Sequence, residues 1–360
     1  MKRKNLIICC DGTWQHASQQ FPTNVAKVAR SVSAVNDDGV PQIVFYSEGV
    51  GTERGVIPAL SNKLGGAFGL GLDDNVVEAY RFIAANFEPN DSLFLFGFSR
   101  GATTVRSLAG LIHHVGILKR ENLHHESKVM DEYRNKQSSS RERALFERNE
   151  CHDMGDNKPI AFLGVWDTVK ALGLPDFLPN ANQWNKKYHF HDLSLVPAIK
   201  AARHAVSLDE DRNMFPPTLW KSSAIDEANE KAEIKNVFQQ KWFCGDHGGV
   251  GGGMKDGRLS NIALLWVVEG AREAGLAMRE PALKHFKDGC ERPENIIRLN
   301  EKPKTSWFNR LPYSLGGYSA RKGLQSENDL HASVNKRTEA LPKYTPLALS
   351  KLADNNKMLS

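Results

Sequence analysis

An apolar run that stops at a Gly-x-Ser-x-Gly motif constrains this chain more than any other feature. Residues 92–98 read Ser-Leu-Phe-Leu-Phe-Gly-Phe and are followed at once by Ser-Arg-Gly. A short, aromatic-rich run bounded by turn residues predicts a strand that is covered on both faces, as in a parallel sheet. Residues 102–112 have apolar positions at helical spacing. The motif therefore occupies a sharp turn from a strand into a helix.

This turn predicts a nucleophile at Ser99. Gly97 and Gly101 lack a Cβ atom, so the strand and the helix can approach closely while Ser99 takes a strained conformation at the apex. The Ser99 hydroxyl is then exposed at the carboxyl end of the strand. The backbone N–H of Arg100 points toward any oxyanion formed there. The alternative interpretation is an ordinary glycine-flanked turn without a catalytic role.

Composition restricts the class of protein. The chain has 360 residues, of which 41% are hydrophobic and 25% charged, enough for a large folded core. No run reaches the roughly 18 apolar residues of a membrane span, and the basic then apolar start lacks a signal-peptide core, so we expect a cytoplasmic protein. The five cysteines show no Cys-x-x-Cys spacing, which disfavours a disulfide framework or a zinc site. We expect neither a metal nor an organic cofactor, and no nucleic-acid partner.

Short strand and helix signals alternate along the chain and predict a mainly parallel sheet with helices on both faces, an α/β-hydrolase-like fold. We find no linker that would divide residues 1–360, so one domain is expected. Residues 115–158 are charged and poor in strand formers, and we expect a helical insert over the active-site edge, acting as a lid. Residues 284–360 predict an irregular C-terminal segment that wraps the domain.

A second apolar run, residues 160–169, predicts a strand that ends in Asp167. A carboxylate at that position can orient a histidine and stabilise the imidazolium formed during acyl transfer. The alternative role for Asp167 is helix capping. Asp209 is the rival acid, although its densely charged neighbourhood suits an ion-pair network equally well.

The predicted base is His247, which follows a strand expected over residues 236–243 and precedes a glycine-rich stretch. A histidine on such a loop can come within hydrogen-bonding reach of a serine. The chain order Ser99, Asp167, His247 is the order used by α/β hydrolases. A structural loop histidine is the alternative.

The end of the first predicted strand offers a second oxyanion donor. Asp11, Gly12 and Thr13 follow an apolar run, and an early strand-to-helix loop supplies one oxyanion N–H in hydrolases of this architecture. We therefore assign Gly12 and Thr13 as candidates. A tight turn stabilised by the Asp11 side chain is the alternative.

Together these motifs resemble one α/β-hydrolase family, domain of unknown function 2235, which includes the catalytic domain of Tle1-type type VI secretion phospholipase effectors. The segments that carry the resemblance are residues 9–14, 97–102, 165–169, 207–212 and the glycine run after His247. The resemblance implies Ser99 as nucleophile, Asp167 as acid and His247 as base. It also implies a lipid or acyl ester as substrate, with peripheral membrane contact and type VI delivery as further expectations.

The chain departs from that family after the histidine. The family pattern there usually reads Ser-Asp-Val, whereas this chain has Gly248-Gly249-Val250. A carboxylate that would support the histidine loop is missing, and we expect Asp246 to compensate. The leading hypothesis is a serine ester hydrolase. The alternatives are an antibacterial phospholipase A-type effector and a non-catalytic binding protein on a hydrolase fold.

Overall fold

A computed structural model of the chain describes residues 3–12, 15–16, 18–49, 70–134, 146–155, 157–169, 193–213, 215–232, 237–288, 290 and 319–359. Its strands form one six-stranded sheet in the order β2-β1-β3-β4-β5-β6, and every neighbouring pair is parallel. The strands are β1 (Asn5–Cys10), β2 (Gln42–Ser47), β3 (Ser92–Phe98), β4 (Ile160–Trp166), β5 (Ala202–Ser207) and β6 (Phe238–Phe243). The expected parallel α/β-hydrolase-like sheet is confirmed.

The register aligns the carboxyl ends of the central strands. Cys10 of β1 lies beside Gly97 of β3, and Phe98 of β3 lies beside Trp166 of β4. Parallel strands in register end at a common edge, where ligands bind in open α/β sheets. Residues that follow β1, β3 and β4 are thereby brought together.

Helices cover both faces of this sheet. They are α1 (Asn24–Ser31), α2 (Leu70–Asn86), α3 (Arg100–Val115), α4 (Glu126–Arg134), α5 (Ser222–Glu230), α6 (His247–Gly251), α7 (Arg258–Glu273), α8 (Glu280–Lys287), α9 (Ala332–Ala340) and α10 (Leu347–Leu359). Within the described ranges, no helix is both long enough and apolar enough to cross a membrane.

Two apolar cores result from the alternation of side chains along β3. Leu93 and Leu95 pack with α2 and α3 on one face, whereas Phe94 and Phe96 pack with α1 and α7 on the other. Successive side chains of a strand point to opposite faces, so a strand that is apolar throughout needs a cover on both sides. This explains why residues 92–98 lack the polar alternation of a half-exposed strand.

The predicted insert packs along the flank of the domain in its described part. Glu126 pairs with Arg81 of α2 at 2.6 Å, Arg134 pairs with Asp73 at 2.7 Å, and Val129 joins the core beneath α3. Helix α4 therefore extends the layer that α2 and α3 form on one face of the sheet. Residues 135–145 of the expected lid lie outside the described residues.

Strand β5 was not anticipated, because Arg203 and His204 interrupt its apolar pattern. Both side chains are buried. Arg203 pairs with Glu269 at 3.0 Å and with Glu273 at 2.9 Å, so its charge is compensated by α7. Partners from a distant helix allow a charged residue in a buried strand, and the local sequence does not show them.

The C-terminal segment is more regular than expected. The end of the chain packs on the β5–β6 side of the sheet through Leu330, which precedes α9, and through Val334 of α9 and Ala348 of α10, in one cluster with Val206 and Trp242. Residues 291–318 of this segment lie outside the described residues. The helices that follow them attach the end of the chain to the edge of the sheet.

Candidate active site

Ser99 lies at the turn between β3 and α3 with φ 58° and ψ −122°, a conformation that non-glycine residues rarely adopt. The two motif glycines make this turn sterically feasible. A Cβ atom on Gly101 would collide with the carbonyl oxygen of Cys10, and one on Gly97 would lie 2.5 Å from the carbonyl oxygen of Gly101. Close contact between the backbones of β1, β3 and α3 therefore holds Ser99 at the sheet edge.

Ser99, His247 and Asp167 form one hydrogen-bonded line. The distance from His247 Nε2 to Ser99 Oγ is 2.9 Å, and the distance from His247 Nδ1 to Asp167 Oδ2 is 2.6 Å. Ser99 is 6% exposed and Asp167 is fully buried. The three candidates named from the sequence thus meet, although 148 residues separate Ser99 from His247.

The Asp167 carboxylate has two further donors. Its Oδ1 accepts the backbone N–H of Ser207 at 3.0 Å, and the Arg321 guanidinium donates to Oδ1 at 2.5 Å and to Oδ2 at 2.9 Å. Burial by itself raises the pKa of Asp167, but the positive charge of Arg321 and the contact with His247 hold that pKa below its ordinary value. Asp167 is therefore ionised and acts as an acceptor only.

His247 begins a short helix, not the glycine-rich loop that we expected. Asp246 is the N-cap of α6, and its Oδ1 accepts the N–H of Gly249 at 2.7 Å. Gly251 is required here because a Cβ at that position would collide with the Phe98 ring. The glycines thus let α6 pack tightly against the end of β3, with Asp246 closing its first turn.

Glu210 holds the backbone of the histidine. Its Oε2 accepts the N–H of His247 at 3.1 Å, and the same carboxylate accepts from Arg212 at 2.6 Å. Two rings flank the imidazole: Phe98 with its centroid at 4.6 Å and Phe215 at 5.1 Å. Aromatic rings therefore flank the imidazole, while Glu210 binds the backbone N–H of His247 and Asp167 binds Nδ1 of its ring.

Asp209, the rival acid, has other partners. Its Oδ2 accepts the N–H of Gly245 at 2.6 Å and the hydroxyl of Tyr344 at 2.8 Å. Burial raises the pKa of Asp209. The structure thus pairs Asp209 with the loop after β6 and with the C-terminal segment, while Asp167 pairs with His247.

Asp11 anchors the loop that follows β1. Its buried carboxylate accepts from Gly12 N at 2.7 Å, from the Thr23 hydroxyl at 2.6 Å and from the Tyr46 hydroxyl at 2.7 Å. A Cβ on Gly12 would lie 3.3 Å from the Cβ of Ser99, so the loop lies directly against the serine. Because the Gly12 N–H is bonded to Asp11, Gly12 does not fit the donor role we expected of it.

Two further oxyanion candidates remain from the sequence. Arg100 is the first residue of α3, and amides at a helix N-terminus favour negative charge. Thr13 lies outside the described residues. Its assignment as a donor therefore stays a prediction.

Sequence reasoning missed three residues of the site: Ser207, Glu210 and Arg321. Ser207 and Glu210 lie in residues 207–212, one of the segments that carry the family resemblance, so the sequence did contain an indication of their role. Arg321 had none, since it lies 154 residues from Asp167 in an unremarkable stretch. In the described part of the chain, no group of three or more histidines, cysteines or carboxylates could hold a metal ion.

A parallel α/β sheet with a strained serine at its carboxyl edge, in hydrogen-bonding reach of a histidine, defines the hydrolase class of α/β proteins. Residues 4–270 match the family described as "T6SS, Phospholipase effector Tle1-like, catalytic domain". The chain belongs to this family, as the resemblance had indicated.

Individual proteins are also similar to this chain. The uncharacterized protein YEL023C of Saccharomyces cerevisiae is 31% identical over 232 residues, which are 59% of this chain and 32% of that protein. The chain thus spans about a third of the length of this curated relative. An uncharacterized protein from Pseudomonas aeruginosa has a TM-score of 0.47 at 19% identity, covering 82% of this chain and 50% of that chain. A Tle1 effector bound to the VgrG spike has a TM-score of 0.37 at 18% identity, covering 70% of this chain and 52% of that chain.

Proposed function

We propose that this chain hydrolyses carboxylic esters through an acyl-enzyme on Ser99, with lipid or acyl esters as substrates. The observation that carries the proposal is the hydrogen-bonded line from Ser99 Oγ through His247 to Asp167, with distances of 2.9 Å and 2.6 Å. Both distances are those of good hydrogen bonds between a nucleophile, a base and an orienting acid.

Acylation begins when Ser99 Oγ attacks the carbonyl carbon of the ester. His247 Nε2 takes the hydroxyl proton during the attack, while Nδ1–H donates to Asp167. The buried, ionised carboxylate stabilises the imidazolium that forms and fixes its tautomer. The Arg100 N–H and the loop at Thr13 are the proposed donors to the tetrahedral oxyanion.

Collapse of the tetrahedral intermediate breaks the ester C–O bond, and the imidazolium gives its proton to the departing alkoxide. A water molecule then attacks the acyl-enzyme. His247 takes a proton from that water and returns it to Ser99 Oγ as the acid leaves. Apart from the ester and this water, the steps use side chains and backbone amides of this chain.

The family's description supports a phospholipase as the finer assignment. In that case the chain contacts a membrane surface peripherally, cleaves the acyl ester of a phospholipid and is delivered by a type VI secretion system. The relative found on the VgrG spike motivates the delivery step.

The first experiment is hydrolysis of p-nitrophenyl esters from acetate to palmitate. We expect activity in the wild type and its loss in Ser99→Ala. Ser107→Ala is the matched control, because Ser107 is also buried in α3 and its hydroxyl has no partner among the described residues. Equal activity of the wild type and Ser99→Ala would contradict the proposal.

Two assays separate the alternatives. Release of fatty acid from phospholipid vesicles supports the phospholipase, whereas hydrolysis of short esters alone argues against it. Labelling of Ser99 by a fluorophosphonate tests for an activated serine without any assumption about the substrate. A folded chain that neither labels nor hydrolyses any ester would favour a specialised substrate or a binding role on a hydrolase fold.

A further inference from the structure

Arg321 brings the end of the chain into the site. It lies beyond residues 4–270, the part of the chain that matches the hydrolase family. Its guanidinium nevertheless contacts the acid that pairs with the histidine, through Nη1 to Oδ1 and Nη2 to Oδ2 of Asp167. The site assembled by the family's motifs is therefore extended by a residue outside them.

The contact between Arg321 and Asp167 is bidentate, with each terminal nitrogen of the guanidinium bonded to a different carboxylate oxygen. Two parallel N–H···O bonds fix the plane of a carboxylate as well as its position. Arg321 is 7% exposed and Asp167 fully buried, so water does not screen the pair. Asp167 Oδ2 accepts from both Arg321 and His247 Nδ1, which links the guanidinium to the imidazole through one oxygen.

We propose that Arg321 is a positioning residue of the hydrolytic site, which orients the Asp167 carboxylate toward His247 and shares its negative charge. The proposal rests on the proposed function, since it assigns Arg321 a role in the same hydrolysis. Arg321 acts through Asp167 and does not touch the reacting atoms.

The sign of the effect follows from charge. A guanidinium that shares the negative charge of Asp167 leaves less of it to stabilise the imidazolium of His247. Charged or titratable groups near Asp167 and His247 come from several elements besides Arg321: Glu210 and Arg212 follow β5, His204 lies within β5, and Asp246 precedes His247 as the N-cap of α6. Removing the Arg321 charge therefore makes imidazolium easier to form and leaves less neutral base at acid pH.

A purely structural role makes a different prediction. If Arg321 only packed against the site and stabilised the folded chain, its loss would lower the free energy of unfolding and leave the pH profile of the remaining folded enzyme unchanged. The pH profile is thus the measurement that distinguishes positioning from packing.

The test compares wild type, Arg321→Gln and Arg321→Lys in kcat and KM over pH 4 to 9 with the best p-nitrophenyl ester. For Arg321→Gln we expect kcat to fall about 10-fold or more, and the acid limb of kcat/KM to move up by about 0.5 to 1 pH unit. Arg321→Lys keeps the positive charge but cannot make the bidentate contact. Its acid limb should therefore stay near the wild-type position, while its kcat lies between those of Arg321→Gln and wild type.

Arg203→Gln is the matched control. Arg203 is also a buried arginine held in ion pairs, but its partners Glu269 and Glu273 lie on α7. We expect its acid limb to match the wild type. An unchanged limb and unchanged kcat in Arg321→Gln would overturn the proposal, as would an equal shift in Arg203→Gln.

A titration of the imidazole gives a readout that needs no substrate. Carbon-13 labelled histidines are followed by NMR against pH in wild type and Arg321→Lys, and in Arg321→Gln where that variant folds, with His247→Gln identifying the signal. We expect the His247 midpoint to rise in Arg321→Gln and to stay near wild type in Arg321→Lys. If no ester is hydrolysed, this titration still supports or overturns the role of Arg321, while the proposed function fails by itself. Where only Arg321→Lys folds, a wild-type midpoint together with an unchanged kcat would overturn the proposal.

Discussion

Ser99 is held by backbone packed against backbone, whereas His247 is held by side chains that carry charge. On the serine side, Gly97 and Gly101 leave no room for even a methyl group between β1, β3 and α3. On the histidine side, Glu210 and Asp167 contact the backbone N–H and the ring of His247. Both sides must be rigid for an attack geometry to persist, and each achieves it with different forces.

The difference predicts how each side fails. Steric contacts do not depend on protonation, so a change near Ser99 should act on the fold at every pH. Charged contacts do depend on protonation, so a change near His247 should act on the rate and on its pH dependence. Four predictions test this division, and they are ordered by the expected size of the effect.

The largest effect is expected from Gly101→Ala. The new Cβ would collide with the carbonyl oxygen of Cys10, and backbone cannot move aside as a side-chain tip does. We expect a loss of about 3 kcal/mol or more in the free energy of unfolding, from overpacking at a rigid site. Urea denaturation at pH 6 and pH 8 should give the same loss.

Gly257→Ala is the control for that substitution. Its Cβ would lie 3.3 Å from Lys27 Nζ, and its other neighbours within 4 Å are side-chain atoms at 3.9 Å or more, so no backbone atom opposes it. We expect a change of about 1 kcal/mol or less. If the loss of unfolding free energy in Gly101→Ala varied strongly with pH, the distinction between a steric Ser99 side and a charged His247 side would be wrong.

The next effect concerns acid stability and His204. The buried His204 accepts the N–H of Thr168, the residue after Asp167, at 3.3 Å. Burial, together with the positive charge of Arg106, lowers the pKa of His204 to about 3. Between pH 6.5 and that value, the unfolded chain binds a proton that the folded chain does not. Stability must therefore fall as the pH is lowered, by about 1.4 kcal/mol per pH unit for one proton.

The slope of unfolding free energy against pH from 4 to 6.5 checks this. His204→Gln should be less stable than wild type at pH 7, because a buried contact is lost, yet its slope should be shallower by about one proton. Equal slopes in the two proteins would show that His204 is not the group that titrates.

A smaller effect is expected for Glu210→Gln. The substitution keeps an acceptor for the His247 N–H but removes a negative charge close to the imidazole. We expect kcat to fall about 10-fold and the acid limb to move down, because imidazolium loses a stabilising neighbour. The direction is opposite to that expected for Arg321→Gln. Shifts in the same direction would refute an electrostatic account of this side.

The smallest effect is expected for Asp246→Ala, which removes the N-cap of α6. Loss of the contact to Gly249 N should cost about 1 kcal/mol of stability and reduce kcat several-fold. Asp246→Asn keeps a capping oxygen and should retain the stability of the wild type. Unchanged kinetics in Asp246→Ala would remove the supporting role assigned to this carboxylate.

Much of the serine side could be predicted because its motif is local. Residues 92–101 contain the strand, both glycines and Ser99 itself, although the carbonyl oxygen that excludes a Cβ on Gly101 belongs to Cys10 of β1. The parallel sheet was also predictable, since runs that are apolar on both faces alternate with helical patterns. The expected loop after His247 was wrong, because a capping aspartate outweighed the low helix propensity of glycine.

The histidine side was decided by tertiary structure. Sequence reasoning left both Asp167 and Asp209 open as the acid, and only the register of β4 with β5, together with Tyr344, assigned each its partner. Arg321 could not have been found, because a charge interacts through space and the sequence records only separation along the chain. Patterns of glycine and apolar residues by themselves determined where a nucleophile could lie. Contacts between segments up to 154 residues apart decided which charges surround it.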